Sequence, residues 1–235
     1  MTTASHMPHG LLFDLDGTLL NSEWYWREAE GGVLAKHGIE YTDELAEAAI
    51  GIPLSLWITR MRERFGIAAS PETMERELID LMAEFTDSRP TLWRPGAYEL
   101  LERSVELGIP TALVTASPQV LADVVLTKAP AGALQTYIAG DMEMAPKPAA
   151  DPYLAAAQLL GVNPQHCIAF EDSPFGIRSA MAARTHAVLI PFIVKVPEFD
   201  GVVTVSSLED VDDDFLRHVM TLPLPAGDPL DGALE

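Results

Sequence analysis

Two carboxylates stand one residue apart at the end of an apolar run, in Leu11-Leu12-Phe13-Asp14-Leu15-Asp16-Gly17-Thr18. If the run is a buried strand, its period-two alternation puts Asp14 and Asp16 on one side, facing a common ligand. The carboxyl ends of parallel strands open onto the crevice where ligands bind, so such a pair belongs to an active site. Asp-x-Asp-Gly-Thr is also good turn sequence, and alone it carries both readings equally. A second segment shifts the balance. Cys167-Ile168-Ala169-Phe170-Glu171-Asp172-Ser173-Pro174 is again an apolar run ending in adjacent acids, followed by a helix start with Ser173 as N-cap and Pro174 at the first helical position. Converging carboxylates repel one another unless some hold protons or a cation lies among them. All-oxygen ligation suits a hard ion, and for phosphate chemistry that ion is magnesium. The third segment is Ala145-Pro146-Lys147-Pro148, a lysine pinned between prolines in a loop. Most loop lysines are solvated charges, but this one has stiff neighbours, and the same crevice needs a fixed positive group.

The elements that must position these groups can be read from periodicity. Residues 22–90 read as helices without a strand. Leu54, Trp57, Ile58, Met61 and Phe65 share one helical face, as do Met74, Leu78, Leu81 and Phe85, and Ser70-Pro71 marks the start of the second helix. These stripes are expected to form the core of a small bundle. From Trp93 onward helices and strands alternate: a helix from Gly96 to Gly108, a strand over 109–115, a helix from Ser117-Pro118, a strand over 137–139, and a helix from Asp151-Pro152 to Gly161. A strand over 166–170, a helix from Pro174, strands near 186–190 and 201–205 and a last helix near 208–220 complete the series. The alternation predicts an α/β fold, a Rossmann-like parallel sheet with helices on both faces. The expected organisation is a core of residues 1–21 and 91–220, an inserted α-helical cap domain over 22–90, and a loose tail over 221–235.

Composition bounds the partners. The 235 residues are 48% hydrophobic and 21% charged, enough for one α/β core and a smaller insertion. Asp and Glu number 35 against 15 Lys and Arg, a formal net charge of −20, and such a field repels nucleic acid and anionic membranes. It also repels any free anionic ligand, so a bound cation and Lys147 must create a local positive site. Cys167 is the only cysteine, which excludes an internal disulfide, and the six histidines lack zinc-ligand spacing. No apolar run approaches the about 20 residues that span a bilayer. Residues 1–9 are polar and show no cleavable signal, and Ser5-His6-Met7 resembles a cloning remnant. A cytoplasmic location is expected.

Taken in order, LFDLDGT, the strand Thr111-Ala112-Leu113-Val114 running into Thr115-Ala116-Ser117, Lys147-Pro148 and FEDSPFGI resemble the four motifs of the haloacid dehalogenase-like hydrolase superfamily. Within it the chain is most similar to the small phosphatases and beta-phosphoglucomutases with a helical cap, over residues 10–206. The resemblance implies that Asp14 is the nucleophile forming an aspartyl-phosphate and that Asp16 is acid toward the leaving oxygen, then base toward water. It implies that Thr115 hydrogen-bonds a phosphoryl oxygen and that Lys147 neutralises charge building there. Ser117, Ala116 and Trp26 become candidate substrate contacts. Asp14, the backbone carbonyl of Asp16, Asp172 and, directly or through water, Glu171 become magnesium ligands. Relatives that dehalogenate carbon substrates or cleave phosphonates lack an acid where Asp16 stands, so phosphate esters are implied.

The expected function is a magnesium-dependent phosphatase for a small phosphorylated metabolite such as a sugar or polyol phosphate, working as a monomer without nucleic-acid or membrane partners. A mutase using the same motifs and an idle binding protein are the alternatives. Mutases that resemble this chain carry a histidine where Trp26 stands and an arginine just after the position of Gly51, where this chain reads Ile52-Pro53-Leu54-Ser55. Arg184 departs from the pattern, standing where a glycine usually closes the helix after the second acidic motif.

Overall fold

Leu11 and Phe13 pack on one side of a sheet and Leu12 on the other, all buried, as the alternation requires. These residues form β1 (Gly10–Phe13) in a computed structural model that describes residues 7–50 and 52–225. The cloning-remnant reading of residues 1–6, the position of Gly51 and residues 226–235 of the expected tail lie outside the described residues. The other strands are β2 (Thr111–Val114), β3 (Thr136–Ile138), β4 (Cys167–Glu171), β5 (His186–Leu189) and β6 (Val203–Thr204). All pair in parallel, in the order β3-β2-β1-β4-β5-β6. The order reverses between β1 and β4, which creates a crevice beyond their carboxyl ends. Phe13 pairs with Phe170, their rings stack 5.0 Å apart, and the Asp14 N–H donates to the Phe170 carbonyl at 3.0 Å. The two acidic motifs therefore leave the sheet side by side.

The helices are α1 (Glu23–Lys36), α2 (Asp43–Ala49), α3 (Leu54–Phe65), α4 (Pro71–Ser88), α5 (Ala97–Glu106), α6 (Gln119–Lys128), α7 (Asp151–Leu160), α8 (Pro174–Ala182) and α9 (Asp213–Val219). Leu100 and Leu101 of α5, Ala122 and Val125 of α6 and Leu216 and Val219 of α9 cover the face of Phe13. Tyr153, Ala156 and Ala157 of α7 with Ile177 and Ala180 of α8 cover the face of Leu12. The expected Rossmann-like parallel sheet with helices on both faces is what the structure shows.

Helices α1 to α4 bury a separate cluster that includes Trp57, Ile58, Met61, Met74, Leu78, Met82 and Phe85, with Leu121 of α6 joining it. The chain crosses into and out of these helices along two adjacent paths. The Asn21 N–H donates to the Leu92 carbonyl at 2.8 Å, Leu20 pairs antiparallel with Trp93, and the Arg94 N–H donates to the Leu19 carbonyl at 2.8 Å. No helix among the described residues is long and apolar enough to cross a membrane.

Several sequence expectations need correction. Phe65 is 38% exposed rather than part of the buried stripe, because it ends α3 where left-handed Gly66 turns the chain away. The single helix expected over 208–220 is broken: a short turn over Leu208–Asp210 precedes α9, and the Asp212 carboxylate accepts from the Phe215 N–H at 2.8 Å to start the helix afresh. Leu208, Val211, Leu216 and Val219, on either side of the break, all reach the core. The start of the expected loose tail is packed, since Pro225 is buried against Gly201. Arg184 takes the left-handed conformation (φ +58°) that a glycine would fill without strain.

Candidate active site

Lys147 is the hub of the crevice. Its Nζ lies 2.8 Å from Asp14 Oδ1, 2.8 Å from the Val114 carbonyl and 2.6 Å from Glu171 Oε1, so its three protons are all committed. The side chain is only 9% exposed and lies against the Tyr153 ring. Burial opposes the ammonium, but the Asp14 and Glu171 carboxylates outweigh it and hold the Lys147 pKa above its ordinary value. Glu171 is fully buried at the end of β4. Its Oε1 also accepts from the Tyr153 hydroxyl at 2.6 Å, and its Oε2 from the Ser173 hydroxyl at 3.3 Å. Ser173 in turn accepts from the Gly176 N–H at 3.0 Å and caps α8, as the sequence implied. A methyl group on Gly176 would strike the Glu171 carboxylate, so glycine is required in that first turn.

The carboxylates of Asp14, Glu171 and Asp172 each place an oxygen within 4.8 Å of the others. Asp14 Oδ2 is buried without a hydrogen-bond partner. Asp16 is held differently. Its Oδ1 accepts from the Ser22 hydroxyl and from Trp26 Nε1 (3.1 Å), and its Oδ2 from the Ser117 hydroxyl at 2.6 Å. Thr115 is buried, with its hydroxyl oxygen accepting from the Ser117 N–H at 2.9 Å, while Ala116 is exposed at the rim. Gly17, in left-handed geometry (φ +87°), lets the turn after Asp16 press against Asp172, where any side chain would collide. The structure thus brings together Asp14, Asp16, Thr115, Ser117, Lys147, Glu171, Asp172 and Trp26 from both acidic motifs, the β2 loop, the Lys147 loop and α1.

Residues 8–184 match the haloacid dehalogenase-like hydrolase family. The chain belongs to that family. It is 32% identical to hexitol phosphatase A of Escherichia coli K12 over 204 residues, 86% of this chain and 92% of the relative. It is 33% identical to validoxylamine A 7'-phosphate phosphatase of Streptomyces hygroscopicus subsp. limoneus over 175 residues, 73% of this chain and 80% of the relative. In fold it resembles CbbY of Rhodobacter sphaeroides, a crystal structure in complex with phosphate, with a TM-score of 0.76, 24% identity and coverage of 87% of this chain and 96% of that one.

The hydrolase's acid cluster fits a hard cation. The donors are all oxygens, and an orphaned carboxylate oxygen points to a missing partner. Burial, then the neighbouring Glu171 charge, pushes Asp14 up to about 7 against the pull of Lys147. Burial, then the Asp14 and Glu171 charges, pushes Asp172 up to about 9. Both carboxyls have folded pKa values above their unfolded ones. Their contribution to stability is therefore complete below about pH 4 and is lost as pH rises through about 7 and about 9. A divalent ion held by these carboxylates would take the place of the protons. The magnesium-induced rise in thermal midpoint is expected to be small at about pH 5 and to grow toward about pH 8. Scanning calorimetry with magnesium or chelator at both pH values checks this, and a pH-independent rise would refute the coupling.

Sequence reasoning missed three participants. Tyr153 reads as the third residue of a helix, and nothing local says that its hydroxyl reaches Glu171. Ser22 reads as a helix start; its hydroxyl instead donates to Asp16 and makes no capping bond. Arg94, inside Trp93-Arg94-Pro95-Gly96, gave no signal, yet it binds the backbone of the Gly17 turn.

Proposed function

We propose that this hydrolase is a magnesium-dependent phosphatase that cleaves a small phosphorylated metabolite, a sugar or polyol phosphate, through an aspartyl-phosphate. The observation that carries the reading is the contrast between the carboxylates of Asp14 and Asp16. Asp14 has one oxygen on Lys147 and the other unpartnered, whereas Asp16 is braced by two hydroxyls and an indole. Two acids in unlike environments suit two roles. Asp14 attacks phosphorus, and the ester P–O bond breaks as Asp16 gives its proton to the leaving oxygen. Asp16 then takes a proton from the water that attacks the aspartyl-phosphate, which releases inorganic phosphate and regenerates Asp14. Lys147 stays protonated throughout and offsets charge on the phosphoryl oxygens, and the Thr115 hydroxyl is available to one of them. Asp14, Asp172 and the Asp16 carbonyl would hold magnesium, which when bound adds further positive charge beside the phosphoryl group. Glu171 has its oxygens engaged by Lys147, Tyr153 and Ser173, which supports a role in aiming Lys147 with contact to the ion through water.

The substrate class rests on the phosphatase relatives named above and on α1. Its face toward Asp16 carries Trp26 and Glu23, and Asp16 contributes to raising the Glu23 pKa, after burial. Farther along, Glu30 is pushed up to about 7 by burial although it accepts from the Tyr41 hydroxyl. Arg27 on the same helix is already paired with Asp43. This surface suits the hydroxyls of an uncharged leaving group better than a second phosphate. Helices α1 to α4 would act as the cap that excludes water once substrate is bound.

The test is a panel of phosphate esters with magnesium, in which a hexitol or hexose monophosphate should release inorganic phosphate. A second arm supplies beta-glucose 1-phosphate with a trace of the 1,6-bisphosphate. Glucose 6-phosphate formed faster than phosphate would overturn the reading in favour of a mutase. Trp26, bonded to Asp16 where the mutases carry histidine, supports hydrolysis.

A further inference from the structure

We propose that Arg94 is a positioning residue that holds the catalytic turn, acting through backbone carbonyls rather than on the substrate. Its Nη1 donates to the carbonyls of Gly17 and Ile190 (3.3 Å), its Nη2 donates to the carbonyl of Pro191 at 3.1 Å, and its guanidinium lies 4.6 Å from the centre of the Phe192 ring. Gly17 directly follows Asp16, and Ile190 to Phe192 directly follow β5. In the sheet β4 lies between β1 and β5, so one side chain ties the turns on either side of the strand that delivers Glu171 and Asp172. The Ile190 N–H also donates to the Glu171 carbonyl at 2.7 Å. A methyl group on Gly17 would meet the Asp172 carboxylate on one side and lie 3.3 Å from Phe192 on the other. The Gly17 turn, Asp172 and the loop after β5 are therefore one packed unit, with Arg94 as its clasp.

Three carbonyl dipoles aimed at one point repel each other and need a donor that reaches all three. A guanidinium has five N–H groups in a rigid fork and can do so, whereas an ammonium is a compact point charge. Among the described residues no acidic side chain hydrogen-bonds Arg94, so its place is not that of an ordinary surface ion pair. Without the fork the Gly17 peptide is free to turn, and the adjoining Asp16 loses its alignment with Asp14. The defect should lie in the chemical step more than in substrate binding.

The inference rests on the phosphatase reading, and the experiment separates the two. Arg94→Ala, Arg94→Lys and the exposed control Arg103→Ala are compared by steady-state kinetics on the ester selected from the panel. A misplacement of this kind should lower kcat about tenfold to about a hundredfold in Arg94→Ala, with KM within about twofold of the parent. Arg94→Lys should not restore kcat, millimolar guanidinium should restore part of it to Arg94→Ala, and Arg103→Ala should match the parent. The magnesium-induced rise in thermal midpoint should also shrink in Arg94→Ala, a readout that needs no substrate. Should Arg94→Ala fail to fold, Phe192→Leu, which removes only the ring beneath the guanidinium, should show a smaller kcat loss in the same direction. Unchanged kcat in folded Arg94→Ala, full activity in Arg94→Lys, or an unchanged kcat in Phe192→Leu in the fallback case overturns the proposal. If the parent releases phosphate from no ester, the phosphatase reading fails. The thermal shift then decides alone, and an undiminished shift in Arg94→Ala overturns the role of Arg94.

Discussion

Asp14→Asn is expected to abolish turnover, by at least about 10⁴-fold, while the metal-free protein stays as stable as the parent or becomes more so. The amide keeps an oxygen that can accept from Lys147 but cannot serve as a phosphoryl acceptor. It also removes a carboxyl that burial and Glu171 already push up to about 7, so near neutral pH the substitution costs the fold little charge pairing. The loss of one carboxylate relieves Asp172, whose pKa is raised in part by Asp14. Circular dichroism, thermal denaturation in chelator and phosphate release should be measured together. Substantial turnover in the folded variant would sink the nucleophile assignment.

Lys147→Met should damage both stability and activity, which distinguishes it from Asp14→Asn. Removing one partner from a buried charge pair typically costs about 3–5 kcal/mol, against about 0.5 kcal/mol for an exposed lysine. Here the cation serves two carboxylates at 2.8 and 2.6 Å and a carbonyl at 2.8 Å, all within a site 9% exposed or less. The cost depends on pH with a definite sign. Without the cation, Asp14 has nothing to oppose its burial and holds its proton to still higher pH, so the deficit should be modest at about pH 5 and larger at about pH 8. Urea midpoints at the two values give the comparison. The double variant Lys147→Met/Glu171→Gln should regain part of the stability and none of the activity, which should be down by about a thousandfold or more. A single variant as stable as the parent at about pH 8 would return Lys147 to the status of a solvated loop residue.

The parts of the fold that could be read from sequence are those where one residue type reports one constraint. Alternation in Leu11-Leu12-Phe13 gives a strand buried on both faces, Ser173-Pro174 gives a helix start, and Gly161 gives a helix end in left-handed geometry. Acids at the ends of two such strands must meet once the strands are neighbours, and the family match made that adjacency readable. Contacts between side chains distant in sequence were not readable. Tyr153 reaches Glu171 across 18 positions and Arg94 reaches Gly17 across 77, and neither carries a local pattern. The broken helix after Leu208 failed for another reason: Leu208, Val211, Leu216 and Val219 keep the spacing of one helical face, so periodicity does not register the fresh start that the Asp212 cap makes.

The paired crossings at Leu20 and Trp93 give the core an unusual economy of construction. Seen from the sheet, everything between Asn21 and Leu92 is the loop of a hairpin, because the bridged backbones stand only about 5 Å apart. The core's loop-closure entropy depends on that gap and hardly on what fills it. Any independently folded unit with neighbouring termini could be grafted at the same two residues without disturbing Asp14, Lys147 or Asp172. The segment between these crossings can therefore diverge, or be exchanged outright, provided that its replacement again braces Asp16 as Ser22 and Trp26 do.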